Sequence, residues 1–221
     1  LIVLNSPANP TGGVMPLSDL EYIATAAQER GCWVMSDEIY ARMAYDGLQV
    51  PSIASLPGMM ERTIIVDGFS KTYAMTGWRL GYGIMPEALA KRVALLLTHS
   101  IGCTATFTQM AGIEALTSSQ EMARAAVLDY QHRRDRIVAG LNQIPGIRCQ
   151  VPQGAFYVFP NISALGMSSQ QLAQHLLDEA GVAVLSGTDF GKYGEGYLRL
   201  CYATSPENID RALERIAKVI S

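Results

Sequence analysis

The sequence of 221 residues is long enough for one large domain or two modest ones, and too long for a miniprotein stapled by disulfides. Hydrophobic residues make up 49% and charged residues 17%, a composition that excludes a wholly disordered chain. The formal net charge of −3 offers no positive field for nucleic acid or an anionic membrane surface. Small molecules or proteins are therefore the predicted partners.

The chain begins at Leu1 rather than Met, in the apolar run Leu1-Ile2-Val3-Leu4, which predicts a strand buried on both faces. Such a strand needs neighbours, so we expect the chain to be the C-terminal portion of a longer protein. No apolar run approaches the roughly 20 residues of a membrane helix. The four cysteines form no CxxC pair, which indicates reduced thiols and a cytoplasmic location.

The first half of the chain alternates short apolar runs with helical periods, punctuated by a turn cluster over residues 7–13. Ser18 is the predicted N-cap of the first helix, and Arg79 lies inside the last predicted strand. These patterns predict a mixed sheet covered by helices, an α/β fold assigned to residues 1–105. The predicted elements are a helix over 17–30, strands over 32–35, 63–66 and 78–84, and a helix over 86–99.

The second half changes to long helices followed by a small α+β layer, assigned as a second, smaller domain over residues 106–221. A basic cluster on the longest helix, Arg133, Arg134 and Arg136, is interpreted as a solvated face. The predicted helices cover 108–116, 120–141, 168–179 and 206–220, and the predicted strands cover 147–151, 155–159, 182–185 and 197–202.

Lys71 stands out among the four lysines because it follows an apolar strand at the edge where α/β sheets bind ligands. An amine there can attack a carbonyl group, although a lysine reaching into solvent from the surface fits the pattern equally well. Its neighbour Ser70 offers a hydroxyl for an anion. Arg79, between an aromatic and an aliphatic residue, is interpreted as a buried guanidinium that needs either a bound anion or an internal carboxylate.

Further polar residues follow other predicted strands. Asp37 and Tyr40 could point into one crevice, although Asp37 could simply cap the next turn. Asn9 is a turn former by default, and Arg199 lies in an alternating strand where it needs a partner. An amine, two guanidinium groups, a carboxylate, a phenol and an amide form the set that pyridoxal phosphate requires.

Four motifs in order, with two later segments, resemble the class I/II aminotransferases, which are fold type I pyridoxal phosphate enzymes of the aspartate aminotransferase superfamily. The resemblance covers essentially the whole chain and corresponds to the second half of such an enzyme. The segments that carry it are Ser6-Pro7-Ala8-Asn9-Pro10-Thr11-Gly12, Ser36-Asp37-Glu38-Ile39-Tyr40, Phe69-Ser70-Lys71-Thr72-Tyr73, Thr76-Gly77-Trp78-Arg79-Leu80-Gly81-Tyr82, Gln153-Gly154-Ala155-Phe156-Tyr157 and the strand that holds Arg199.

The resemblance implies a role for each candidate residue. Lys71 would bind the cofactor aldehyde covalently and later move the substrate's Cα proton, and Asp37 would pair with the ring nitrogen. The phenolic oxygen would accept hydrogen bonds from Asn9 and Tyr40. The remaining roles fall to Ser70 and Arg79, at the cofactor phosphate, and to Arg199, at the substrate α-carboxylate, with Asn9 beside it.

The resemblance also implies a homodimer for the complete protein and an expectation about these 221 residues alone. Gly68 departs from the family, where many members carry a serine that contacts the phosphate. The first half of such enzymes supplies a phosphate loop and a residue that stacks on the pyridine ring. We therefore expect this chain by itself to bind the cofactor poorly and to be inactive.

Three functions stay open at this point. The leading one is transamination between an L-amino acid and a 2-oxo acid, with aspartate or a broad range of amino acids as donor. A C–S lyase or a synthase on the same fold is the first alternative. The second is an aminotransferase-like effector domain of a transcription regulator, which an upstream helix-turn-helix would distinguish.

Overall fold

A computed structural model of the chain describes residues 1–220 and divides into two compact units. The first unit contains residues 1–7 and 14–125, and the second contains residues 8–13 and the chain from Ala126 onward. This division falls inside a helix, about 20 residues after the predicted boundary at 105 and 106. The intervening helix, Thr106–Thr117, packs within the first unit, where Gly112 lies against the side chains of Leu80 and Phe69. The domain assignment itself, which concerns the intact protein, stays a prediction.

The first unit is built on a four-stranded mixed sheet of order β1-β2-β3-β4. The first three strands run parallel, and β4 pairs antiparallel with β3. This mixed sheet with its helices confirms the predicted α/β class. The elements are β1 (Ile2–Asn5), α1 (Leu17–Glu29), β2 (Val34–Asp37), β3 (Thr63–Gly68), β4 (Gly81–Ile84), α2 (Glu87–Ser100) and α3 (Thr106–Thr117).

The core of the first unit forms where α1 covers the sheet. Leu20, Ala24 and Ala27 are spaced along one face of α1, and all three are buried. They pack with Leu4 of β1 and Val34 of β2 in one hydrophobic cluster. This packing fixes the position of β2, whose carboxyl end carries Asp37.

Two of three local predictions for the first unit are wrong. Ser18 is not a cap, because α1 begins at Leu17 after Pro16, with no side-chain hydrogen bond at its N-cap. The run Leu1–Leu4 does contribute a strand, β1, which pairs with β2, and its predicted burial on both faces stays a prediction. The predicted strand over 78–84 begins only at Gly81, because residues 76–78 form a 3₁₀ turn and Arg79 is left-handed.

The second unit contains a three-stranded antiparallel sheet of order β5-β7-β6. Helix α5 contacts both α6 and β6. The predicted N-terminus of α5 is confirmed, since Ser168 and Gln171 form a capping box there. The elements are α4 (Glu121–Asn142), which crosses the division between the units, β5 (Tyr157–Val158), α5 (Ser169–Ala180), β6 (Leu185–Ser186), β7 (Leu198–Cys201) and α6 (Pro206–Ile220).

Two predictions for the second unit are wrong. The predicted strand over 147–151 is reduced to a single bridge between Arg148 and Asn161. Arg134 is only 3% exposed, so the basic cluster is not a uniformly solvated face. Its guanidinium donates to Asp135 and to the Pro152 carbonyl oxygen, which satisfy the buried charge.

Two general features of the described chain bear on function. Among residues 1–220, no helix combines the length and the apolar character needed to cross a membrane. All four cysteines are free thiols. Burial raises the pKa of the Cys149 thiol to about 12, so this thiol stays protonated and unreactive at neutral pH.

Candidate functional site

The carboxyl ends of the parallel strands bring the first candidate residues together. Asn5, Asp37 and Val66 are directly paired across β1, β2 and β3, which places Asp37 at the end of an interior strand. Its Oδ1 atom accepts a hydrogen bond from the Ile39 backbone N–H at 3.2 Å, so the carboxylate caps the following turn. One bond of this kind leaves acceptor capacity on the carboxylate for a further donor.

Lys71 and Tyr40 lie side by side in the first unit. The Lys71 ammonium is 5.9 Å from the centroid of the Tyr40 ring, and the Tyr40 side chain is 4% exposed. The two residues follow β3 and β2, which are neighbouring parallel strands. The sheet therefore sets an amine beside a buried phenol at the edge that also carries Asp37.

The turn that carries Lys71 is closed by its own backbone hydrogen bonds. The Phe69 carbonyl accepts from the N–H groups of Tyr73 and Met75, and the Lys71 carbonyl accepts from Ala74, each at 3.3 Å. Ala74 adopts a left-handed backbone with φ 53°. A non-glycine residue in that region is strained and persists only where surrounding contacts fix it.

Ser70 and Arg79 complete the candidate residues of the first unit. Ser70 is half-buried beside Lys71. Arg79 is exposed, contrary to the predicted buried strand position, and its backbone is left-handed with φ 52°. Its Nη1 atom donates to the Thr76 carbonyl at 2.8 Å, so its own turn takes the place of the expected buried anion or carboxylate.

The glycine at position 68 has a structural explanation. A Cβ atom there would lie 3.1 Å from both Gly81 Cα, in the paired strand, and the carbonyl oxygen of Leu80, just before that strand. A side chain at this position would push the two strands apart. The departure from the family pattern therefore coincides with a close approach of β3 and β4.

Arg199 and Asn9 meet in the second unit. Arg199 Nη1 donates to Asn9 Oδ1 at 3.0 Å. The Asn9 loop is held by the Gly12 carbonyl, which accepts from the N–H groups of Gln153 and Gly154 at 2.9 Å. Gly12 is required there, since its φ is +68° and a Cβ atom would lie 2.4 Å from Pro152 Cβ.

Two aromatic rings also hold the Arg199 guanidinium. Its Cζ atom is 4.5 Å from the centroid of the Tyr157 ring and 4.9 Å from that of Phe190. Its Nε atom is buried and has no hydrogen-bond partner. We call Asn9, Tyr157, Phe190 and Arg199 the Arg199 cradle. Its planar donors are fixed in orientation and suit a carboxylate.

A second polar group of the first unit surrounds Asp67. Tyr82 Oη donates to Asp67 Oδ2 at 2.7 Å, and the Gly68 N–H donates to Asp67 Oδ1. Burial and the Asp67 carboxylate together raise the pKa of Tyr82 to about 12, while the Arg42 guanidinium partly offsets this rise. Tyr82 therefore stays a neutral donor to Asp67 at physiological pH.

The sequence-predicted residues thus fall into two groups, each described within its own unit. Asp37, Tyr40, Ser70, Lys71 and Arg79 belong to the first, and Asn9 and Arg199 belong to the second. Sequence reasoning missed Phe190, whose only local signal is its place before Gly191 in a glycine-flanked loop. Within residues 1–220 no cluster of three or more His, Cys, Asp or Glu residues could hold a metal ion.

Comparison with known proteins identifies relatives along nearly the whole chain. The family model described as aminotransferase class I and II matches residues 1–216. The aspartate aminotransferase of Pyrococcus abyssi and the aromatic-amino-acid aminotransferase 2 of Thermococcus litoralis are each 42% identical over 99% of this chain. The crystal structure of the aspartate aminotransferase from Rhizobium meliloti superposes with a TM-score of 0.94 at 35% identity, over 99% of this chain. This chain spans 57% of each of these three proteins.

Proposed function

The chain belongs to the class I and II aminotransferases, a family that uses pyridoxal phosphate, and we propose that the full-length protein transfers an amino group between an L-amino acid and a 2-oxo acid. The observation that carries this proposal is the Lys71 amine beside the Tyr40 phenol, at the sheet edge where β2 ends in Asp37. The proposal concerns the full-length protein, and we expect the 221 residues alone to be inactive.

The residues of the first unit fit pyridoxal phosphate in their chemistry. The cofactor carries an aldehyde, a ring nitrogen, a phenolic oxygen and a phosphate. Lys71 offers an amine, and Asp37 offers a carboxylate that retains acceptor capacity. The phenol of Tyr40 is the donor for the phenolic oxygen, and Ser70 and Arg79 supply a hydroxyl and a guanidinium for the phosphate.

The proposed roles follow from these groups. When bound, pyridoxal phosphate supplies an electron-withdrawing ring that stabilises negative charge developing at the substrate Cα. Lys71 Nζ holds the cofactor and afterwards moves the proton from the substrate Cα. Asp37 holds a proton at the ring nitrogen, since a carboxylate favours the charged form of a neighbouring base. Arg79 and Ser70 bind the phosphate.

The Arg199 cradle is proposed to bind the substrate α-carboxylate. Arg199 already presents a planar guanidinium packed over the Tyr157 and Phe190 rings, with Nη1 bonded to Asn9 and Nε unpaired. A guanidinium in this state can form two parallel hydrogen bonds to a carboxylate without first losing side-chain entropy. All L-amino acids and 2-oxo acids share that carboxylate, so the cradle serves both halves of a ping-pong cycle.

The proposed donor is aspartate or a broad range of amino acids that includes aromatic ones. Support comes from relatives whose names state aspartate and aromatic amino acids at 42% identity. The proposal also includes a homodimer, as expected from the family resemblance, and a cytoplasmic location, as expected from the cysteine pattern.

The test combines covalent trapping with a donor screen on the full-length protein. Borohydride reduction in the presence of pyridoxal phosphate, followed by peptide mass mapping, is expected to place the pyridoxyl label on Lys71. Exposed Lys91 is the internal control. Label that favours another lysine over Lys71, or no label on Lys71, would overturn the proposal.

The donor screen then distinguishes the reaction. Aspartate and aromatic amino acids are expected to yield their 2-oxo acids only when a second 2-oxo acid is present as acceptor. Ammonia release without an acceptor would indicate a lyase, and binding without turnover would indicate an effector domain. Either result would overturn transamination while leaving the Lys71 assignment intact.

A further inference from the structure

A chain of polar contacts in the first unit runs beside the turn that carries Lys71. Arg42 Nη1 donates to Tyr73 Oη at 2.8 Å, and Tyr73 Oη in turn donates to Gln120 Oε1 at 3.0 Å. The Gln120 amide nitrogen donates to the carbonyl oxygens of Ala115 and Ser118 at 3.0 and 2.8 Å. The Tyr73 hydroxyl therefore accepts one hydrogen bond and donates another, both to side chains outside its own turn.

The Tyr73 ring is fixed as firmly as its hydroxyl. The Arg42 guanidinium lies 5.7 Å from the ring centroid, and the Phe69 ring lies at the same distance on a tilted plane. Phe69 also packs edge to face against Tyr82, whose hydroxyl is bonded to Asp67. Side chains from the segments after β2 and α3, and from β4, thus contact the residues of this turn.

The backbone of that turn is strained, and the contacts of Tyr73 support it. Lys71 lies two residues before Tyr73, and the left-handed Ala74 lies one residue after it. The backbone hydrogen bonds inside the turn, from Tyr73 and Met75 to Phe69 and from Ala74 to Lys71, are each 3.3 Å long. Such a conformation needs external support, and the Tyr73 side chain supplies polar contacts two residues from Lys71.

We infer that Tyr73 is a positioning residue for Lys71, held in place by Arg42 and Gln120. It acts by fixing the turn from which Lys71 projects, and it does not itself touch substrate or cofactor. The inference deepens the proposed function and rests on it. Reactivity at a positioned amine depends steeply on geometry, so a loosened turn lowers the rate at which Lys71 captures an aldehyde.

The test uses Tyr73→Phe in the full-length protein, which keeps the ring and removes both hydrogen bonds. The readout is the rate of borohydride-trapped labelling of Lys71 by pyridoxal phosphate, normalised to Lys91 by peptide mapping. We expect the Lys71 rate to fall about tenfold, with faster hydrogen exchange at the Ala74 and Met75 amides. Tyr22→Phe, at a residue that is 78% exposed on α1, is the matched control and leaves the ratio unchanged.

Two Arg42 variants separate positioning from general stability. Arg42→Ala is expected to lower Lys71 labelling, whereas Arg42→Lys restores most of it, because an ammonium still donates to Tyr73 Oη. Arg42→Ala added to Tyr73→Phe has little further effect, since the two act as one unit. In steady state, Tyr73→Phe lowers kcat and leaves the amino-acid KM unchanged, because Tyr73 is not part of the Arg199 cradle that is proposed to bind the substrate.

Each outcome of this experiment is decisive. Labelling of Lys71 at the parent rate in both Tyr73→Phe and Arg42→Ala would overturn the inference while the proposed function stands. Additive losses of the Lys71 labelling rate in the double variant would overturn the claim that Arg42 and Tyr73 act as one unit. Absence of label on Lys71 in the parent protein would instead overturn the proposed function, and this inference with it.

Discussion

Arg79 in the first unit and Arg199 in the second carry the same guanidinium in opposite surroundings. Arg79 is exposed, sits on a left-handed residue and is bonded only to the carbonyl of its own turn. Arg199 is partly buried, lies against two aromatic rings and is bonded to a residue 190 positions away in the chain. One is oriented by local backbone and the other by tertiary packing.

This contrast extends to the residues around each arginine. In the first unit, the Lys71–Arg79 segment gains its shape from tight turns and includes two non-glycine residues with positive φ. In the second unit, Asn9 and Arg199 are brought together by a loop that packs on residues 152–154. A preorganised group loses more when its geometry changes, so the two regions should respond differently to matched substitutions.

The largest effect is expected at Lys71, in the segment that is shaped by tight turns. Lys71→Ala should lower the proposed transamination rate by at least about 10⁴-fold, because no other group supplies both the covalent bond and the proton transfer. The measurement is kcat/KM with the best donor found in the screen. Lys91→Ala, at a solvent-exposed i,i+4 pair with Glu87, is the control. A residual activity above one per cent would contradict the role of Lys71.

The second largest effect is expected at Arg199, which is oriented by tertiary packing. Arg199→Lys keeps the charge but loses the planar pair of donors, so the amino-acid KM should rise about 100-fold with a smaller change in kcat. Steady-state kinetics check this, with the exposed Arg148→Lys in the same unit as control. An unchanged KM would remove Arg199 from carboxylate binding.

The third effect concerns the same substitution at Arg79, for comparison with Arg199. Arg79→Lys should weaken pyridoxal phosphate binding only about tenfold, because an exposed side chain bonded to one carbonyl has little orientation to lose. Titration of the apoenzyme gives the cofactor Kd, with the exposed Arg92→Lys as control. A loss as large as that at Arg199 would break the comparison between the two regions.

The smallest effect is expected at Phe190, one of the two aromatic rings of the Arg199 cradle. Phe190→Leu removes one aromatic face from Arg199 while keeping an apolar side chain, so the KM should rise about fivefold, as expected for a partly desolvated cation–π contact. Tyr193→Leu, at an 87% exposed ring in the same unit, serves as control. Equal KM values for the two variants would show that packing by Phe190 does not orient the guanidinium.

The sequence predicted the features that depend on local pattern. The helical pattern of α1, the position of α5 and the placement of Asp37 and Lys71 at the ends of strands all follow from short-range rules. Arg134 could also have been placed correctly. It shares a helix face with the buried residues Ile137, Val138 and Leu141, and that spacing outweighs its charge.

The remaining features depend on distant contacts. The apolar surroundings of Arg79 favour a strand, and nothing local signals its left-handed backbone. Phe190 and Tyr157 meet Arg199 only through the folded arrangement of β5, β7 and a glycine-flanked loop. The bonds from Arg42 and Gln120 to Tyr73 span 31 and 47 residues, so no sequence window contains either pair.

The assignment of residues 8–13 to the second unit has a practical consequence for dissecting the molecule. The chain passes from one unit to the other after Pro7, after Gly13 and again inside α4. Cleavage at residue 125 would leave Asn9 on one fragment and its partner Arg199 on the other. Neither piece would keep the Arg199 cradle intact, so modular swaps between homologous enzymes should exchange residues 8–13 together with the chain from Ala126 onward.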